Sequence, residues 1–339
     1  MTKLTIALQL AAAAAVAAAT VSHAQAQSFP ERNLRASLSL GKEHSLGIAL
    51  TKFSACAAQK TGGKMKITPY FDSQLGGDGP AIQQMRSGTL EAAVVATAST
   101  TAILPAAGVF DLPFLIQNEK EADALLDGKA GESLTAKFPA IGLINLSYWE
   151  YGYRETTNSR RPITKAEDFS GVKMRVMPSA VMVDAFKNMG AISLTMPLTE
   201  LYTAMETRAV DGQENPFSTI ELNKFFEVQK YLSLTNHMYN PAMIAFSKQL
   251  FDKLTPAEQG VLRQCGADSR DEQRRVNRQQ NVQSLARLKE RGMQVNEVPA
   301  SEIARMREKV QPLYDKQTAA IGAETMDLVA SELKRIRGQ

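Results

Sequence analysis

Apolar and polar positions alternate with period two over NLRASLSL (33 to 40), as in a strand with one buried face. The spacing then becomes helical. Leu46, Leu50, Phe53 and Ala57 fall on one stripe of EHSLGIALTKFSACAAQKTGG, which Gly62 and Gly63 end. KMKITPY reads as a second strand, QLGGDGP as a turn, AIQQMRSG as a helix and LEAAVVAT as a buried strand. The same alternation recurs further on. IGLINLSYWE (141 to 150) predicts a strand, Thr164 and Glu167 a capping box before a short helix, and VKMRVM (172 to 177) a strand stopped by Pro178. A helix over 180 to 189 ends at Gly190, ISLT is a strand, Thr199 caps the helix ELYTAMETR, and AVDGQENP closes the series. From about residue 250 the chain reads as helical and charged, with breaks at Pro256 and Gly292. Two successive blocks of this kind predict an α/β fold with a largely parallel sheet, whose ligands gather where strand carboxyl ends meet loops.

The first 26 residues stand apart from this pattern. Lys3 precedes the run LTIALQLAAAAAVAAAT, and Ala24-Gln25-Ala26 supplies a small-x-small cleavage site, so an export signal cut near Ala26 is expected. No later stretch offers about twenty uncharged apolar residues. At 339 residues, with 44% hydrophobic and 22% charged positions, the chain has material for two globular domains. The formal charge is +4, or +3 once Lys3 leaves with the signal, too small and dispersed for nucleic-acid binding. The arginines of RDEQRRVNRQQ and LKRIRGQ read as a solvated helix face. An exported location permits a disulfide between Cys56 and Cys265, whereas a buried thiol on a helix stripe is the commoner state, and the pairing stays open.

Motifs of catalysis are sparse. The chain has no GxSxG elbow, P-loop, HExxH, GxGxxG or paired CxxC. GGDG at 76 to 79 reads as a helix-entry turn, and no cofactor or metal is expected from Asp211 and Glu214 alone. An exported hydrolase or lyase would have to use Asp211, Glu214 or His237.

Arginine is more informative. Arg175 sits in the middle of the apolar VKMRVM, where a desolvated guanidinium needs a planar acid from the protein (Asp168, Glu206 or Glu214) or from a ligand. Arg154 lies just past a predicted strand end among Trp149, Tyr151 and Tyr153. Together with the carboxamide of Asn215, the two arginines could surround one carboxylate, while the aromatic neighbours exclude water.

YGYRETTNSRRPI, EDFSGVKMRV, LTELYTAMETRAVDGQENP and FFEVQKYLSLTNH resemble the solute-binding subunits of tripartite ATP-independent periplasmic (TRAP) transporters. SQLGGDGPAIQQMRSGTLEAA and GVFDLPFL fit the first domain of that family. The resemblance covers essentially the whole mature chain. It implies a two-domain periplasmic binding protein fold with crossing hinge strands and a long domain-spanning helix. The domains would comprise 27–151 with 241–280, and 152–240 with 281–339. It implies that Arg175 forms the main salt bridge to a ligand carboxylate, Asn215 a second contact and Arg154 a second arginine, with Gly212 allowing a backbone turn. Asp78, Trp149, Leu198, Ser39, Glu43 and Thr97 complete the expected ligand set. Where sialic acid binders carry an acid and an aromatic ring, this chain has Ala96-Thr97 and Leu198. A smaller hydroxy monocarboxylate or short sugar acid is therefore expected. A C4-dicarboxylate, needing a further cation from Lys42 or His44, is the alternative. The resemblance further implies a monomeric periplasmic receptor that delivers its ligand to membrane subunits.

Overall fold

The computed structural model describes residues 28–338, so the export signal and its cleavage near Ala26 lie outside the described residues. Within Glu31–Gln339 the described chain forms one compact unit. It opens with β1 (Arg32–Leu38), α1 (Ser45–Lys60), β2 (Met65–Tyr70), α2 (Asp78–Ser87) and β3 (Ala92–Ala96). β1 pairs in parallel with both β2 and β3. After α3 (Glu119–Leu126) and α4 (Lys129–Thr135) comes β4 (Leu143–Asn158), then β5 (Lys173–Val176), α5 (Ala180–Met189), β6 (Ile192–Thr195), α6 (Leu198–Glu206), β7 (Gly212–Asn215) and α7 (Phe217–Leu222). β5 pairs in parallel with β6 and β7. The chain ends with β8 (Tyr231–Ser247), α8 (Lys248–Phe251), α9 (Pro256–Glu290), β9 (Gln294–Glu297), α10 (Ala300–Ile321) and α11 (Ala323–Arg337).

Among the described residues all strands join one nine-stranded sheet in the order β2-β1-β3-β8-β4-β7-β5-β6, with β9 on β8. The parallel expectation holds within each block. The blocks are welded by the antiparallel pair β4 and β8, of 16 and 17 residues, whose register shifts three times. β3 attaches to one end of this ribbon through Ala242–Phe246, and β7 to the other through Glu155–Asn158. At one shift Gly152 takes φ +107°, and a Cβ there would press on Asn277 Nδ2 at 3.1 Å. Gly212 is required for a different reason from the expected turn. It lies within β7, and a Cβ would run into the Thr157 carbonyl and the Asn158 side chain of β4.

α9 is 35 residues long, about 52 Å at 1.5 Å per residue. Pro256 stands at its first turn instead of breaking it, with Thr255 and Glu258 forming a capping box. Two of its arginines depart from the expected solvated face, while Arg275 stays exposed. Arg274 is buried against Asp127, and Arg278 reaches Asp123 and Glu150. Further along, Arg287 pairs with Glu221 of α7. Cys56 of α1 and Cys265 of α9 form a disulfide with Cα atoms 5.8 Å apart.

Two expected caps are built differently. Asp168, not Glu167, receives the Thr164 and Lys165 N–H groups at 2.8 and 3.0 Å, while Glu167 pairs with Arg305. α6 starts after Pro197 without a side-chain cap, so Thr199 lies within its first turn.

Candidate ligand cleft at the strand ends

Five strands of the two blocks end at one place. Ser39 follows β1, Ser99 follows β3, Met177 and Pro178 follow β5, Pro197 and Leu198 follow β6, and Asn215 ends β7. These residues, with Tyr151, Arg154, Arg175, Asp78 and Thr219, line a cavity of about 290 Å³. Its position obeys the rule that open α/β sheets bind ligands beyond their strand carboxyl ends.

Arg175 is buried, and its Nε and Nη2 both donate to the Met196 carbonyl, at 3.0 and 2.8 Å. Three of its five N–H donors make no such bond. Among the described residues no carboxylate lies within ion-pair distance of it. Asp168 is taken up as a cap, and Glu214 pairs with Arg154. Burial pulls the guanidinium below its ordinary pKa, against the charges of Glu214 and Asp78, yet it remains a cation at neutral pH. The protein-partner explanation for this charge in an apolar strand is thus removed.

Arg154 differs from its expected place at the edge of the cleft. β4 continues through it, and the side chain is only 1% exposed. Its Nε and Nη2 grip both oxygens of Glu214, Nη2 also donates to the Glu214 carbonyl at 2.6 Å, and His237 Nε2 stands 3.4 Å from the same carboxylate. Burial would raise Glu214, but the Arg154 charge and the His237 contact outweigh it and hold the carboxylate low. The Arg154 charge is therefore matched internally. Nη2 also donates to Asn215 Oδ1 at 3.0 Å, and Asn215 Nδ2 donates one hydrogen to Gln213, leaving its second without a partner among the described residues in a side chain that lines the cavity. Arg154 orients Asn215 more than it supplies free charge.

Asp78 begins α2 on the other wall. Its oxygens accept from Ser39 Oγ at 2.9 Å and from Ala96 N and Ser99 Oγ, both at 3.0 Å. Burial raises its pKa, opposed by these three donors and by Arg175. Leu198 and Ser39 line the cavity as expected, and Tyr151 adds an aromatic wall.

Three expected contacts lie elsewhere. Trp149 is fully buried in the hydrophobic core, edge-on to Phe53 with ring centroids 6.4 Å apart. Thr97 is buried, its hydroxyl directed at the Pro241 carbonyl 3.4 Å away. Glu43 is exposed in the turn before α1, where its carbonyl accepts from Gln280. Neither cation proposed for a second carboxylate faces the cavity. Lys42 is exposed, and His44 is buried as the α1 cap, pushed down to about 3 by burial and hence neutral. Ser99, Thr219, Met177 and the Pro178 and Pro197 walls had no sequence signal beyond their position after strands. Among the described residues no group of three or more His, Cys, Asp or Glu could hold a metal ion.

Comparison with known proteins agrees with this geometry. Residues 36–320 match the family model DctP, bacterial extracellular solute-binding protein, family 7. The 2,3-diketo-L-gulonate-binding periplasmic protein YiaO of Escherichia coli is 35% identical over 79% of this chain and 82% of its own. The sugar acid binding protein DctPAm of Advenella mimigardefordensis, solved with galactonate, is 44% identical with a TM-score of 0.89, covering 91% of this chain and 99% of its own. A TRAP periplasmic solute binding protein of Polaromonas, solved with D-erythronate, is 33% identical with a TM-score of 0.85, covering 88% and 98%.

Proposed function

The chain belongs to family 7 of the bacterial extracellular solute-binding proteins, the DctP family of TRAP receptors, whose members are receptors and not enzymes, and from this premise we propose that it captures a sugar acid bearing a single carboxylate. The carboxylate lies against the unspent N–H groups of Arg175 and the Asn215 amide, and hydroxyls along the chain meet Asp78 and Ser39. The observation that carries this reading is the charge count of the cavity wall. Arg154 is matched by Glu214, so Arg175 is the one lining cation without a carboxylate partner among the described residues. A guanidinium fork in a water-poor cleft favours bidentate carboxylate binding. A second carboxylate would approach Asp78 with no further cation to receive it, which weighs against a C4-dicarboxylate. The three relatives named above bind, by their descriptions, diketogulonate, galactonate and erythronate, all of them sugar acids.

The working compartment in this reading is the periplasm, as for those relatives, and the partners are the membrane subunits of a TRAP transporter. The two halves, 27–151 with 241–280 and 152–240 with 281–339, act as the domains that close on the ligand. Their boundaries cross β4, β8 and α9, continuous elements that can flex without breaking. Calorimetry with galactonate and erythronate tests the proposal. Arg175→Lys keeps the charge and loses the fork, and should weaken binding by about 2 to 4 kcal/mol, the range of buried charge pairs. Unchanged affinity in that variant would rule out the assigned role of Arg175.

A further inference from the structure

A second cavity of about 380 Å³ adjoins the cleft and shares two lining residues with it, Ser39 and Leu198. It opens outward between the two halves. Asp72 and Ser73 face it from the segment after β2, and Tyr202, Asn223, Lys224 and Glu227 from α6 and the segment after α7. Single elements serve both spaces. On α7, Thr219 lines the inner cavity and its carbonyl accepts from the Asn223 side chain, four residues on and in the outer one, at 2.9 Å. On α6, Leu198 stands at the neck and Tyr202 lies one turn further out.

The chemistry changes across that neck. Inside, the wall is mostly apolar, with Met177, Pro178, Pro197, Leu198 and Tyr151 around the Arg175 guanidinium, which has no carboxylate partner among the described residues. Outside, the wall is polar and carries both signs of charge, with a partly exposed tyrosine ring that Glu227 holds by a 2.8 Å hydrogen bond to its hydroxyl. Asp72, Ser73 and Lys224 all have positive φ, at 51°, 58° and 57°, a conformation uncommon for residues with a side chain. The first two are pinned there by hydrogen bonds from their N–H groups to Leu40 and Leu38 carbonyls at 3.0 and 3.2 Å. Such conformations held in place cluster at ligand sites.

We infer that the outer cavity is a subsite for a second sugar unit, so that the protein accepts two-unit sugar acids whose acidic unit fills the inner cavity. This inference rests on the carboxylate-receptor reading above. The inner cavity takes the carboxylate. The Ser39 and Leu198 neck passes a glycosidic link. Outside, the Tyr202 ring offers a stacking face to a pyranose, while Asp72, Asn223 and Lys224 offer acceptors and donors to its hydroxyls.

Calorimetry on the mature protein tests this with matched pairs, gluconate against lactobionate and gluconate against cellobionate, in which every acid carries one carboxylate. In at least one pair the two-unit acid should bind no more weakly than its single-unit counterpart. Tyr202→Ala and Asn223→Ala should each weaken the two-unit acid by about tenfold and leave the single-unit acid within about twofold. Both positions are surface-facing, and an unchanged melting temperature shows that each variant is folded. Binding of single-unit acids alone, or an unchanged ratio of affinities in both variants, overturns the outer subsite and leaves the receptor reading standing. Failure of every single-unit acid to bind would strike the receptor reading itself, and the outer subsite with it.

Discussion

Arg154 and Arg175 are both buried and both line the cleft, but among the described residues Arg154 has a carboxylate partner and Arg175 has none, and their variants should fail differently. Removing the fork of Arg154 leaves Glu214 buried beside an imperfect partner. Arg154→Met should therefore lower folding stability by about 3 to 5 kcal/mol, as for a broken buried ion pair. Chemical denaturation checks this, and a loss of affinity without loss of stability would show that Arg154 acts mainly on the ligand. Asp111 supplies a pH signature. It is fully buried, accepts from Ser179 Oγ at 2.7 Å, and burial pushes it up to about 7. An acid with a raised folded pKa binds its proton more tightly when folded. Its contribution is complete below the unfolded value near 4 and is lost as pH rises towards 7. Asp111→Asn should flatten the decline of stability between about pH 4 and 7, and parallel pH profiles for the two proteins would contradict that assignment. At this scale Arg175 was legible in the sequence, because a charge in an apolar strand demands an explanation, and Asn215 as a carboxamide beside the two arginines, whereas Asp78, in a Gly-rich turn, was marked only by the family resemblance. Trp149 was misread because its closeness to Arg154 in sequence does not carry over to the fold, where β4 places it in the hydrophobic core beside Phe53.

Among the elements, the short strands and helices of each block followed directly from periodicity, and α5 and β6 have the expected bounds. The long ones did not. β4 was expected to end at Glu150 and runs on to Asn158, since its second half is buried by pairing with β7 and β8 and not by an alternating pattern of its own. β9 hides in a charged segment because it forms only as an added strand on β8. Arg274 and Arg278 of α9 looked solvated because their acidic partners, Asp123, Asp127 and Glu150, lie more than 120 residues away in sequence. The same helix carries the disulfide to α1, which closes a loop with a sequence separation of 209 residues. Replacing Cys56 and Cys265 together by serine should cost about 2 to 5 kcal/mol of stability. It should spare ligand affinity, since neither residue lines the cleft. Thermal melts with calorimetry on the same preparation check both halves of that statement.

For the whole molecule, the cleft is lined by Ser39, Asp78 and Ser99 together with Arg175, Leu198 and Asn215, and if these belong to two halves as proposed, a ligand touching both favours the closed arrangement. Small-angle scattering should show a smaller radius of gyration with bound sugar acid, and an identical curve would remove closure from the account. The proposal at its narrowest is that the cleft, with one cation lacking a carboxylate partner among the described residues, takes one carboxylate. Galactitol, galactonate and galactarate share a carbon skeleton and carry no, one and two carboxylates. Titrating the three into the wild-type protein measures the claim directly. Galactonate should bind at least about a hundredfold more tightly than either companion, the value of one well-made charged contact. Equal binding of galactitol, or tighter binding of galactarate, would contradict it.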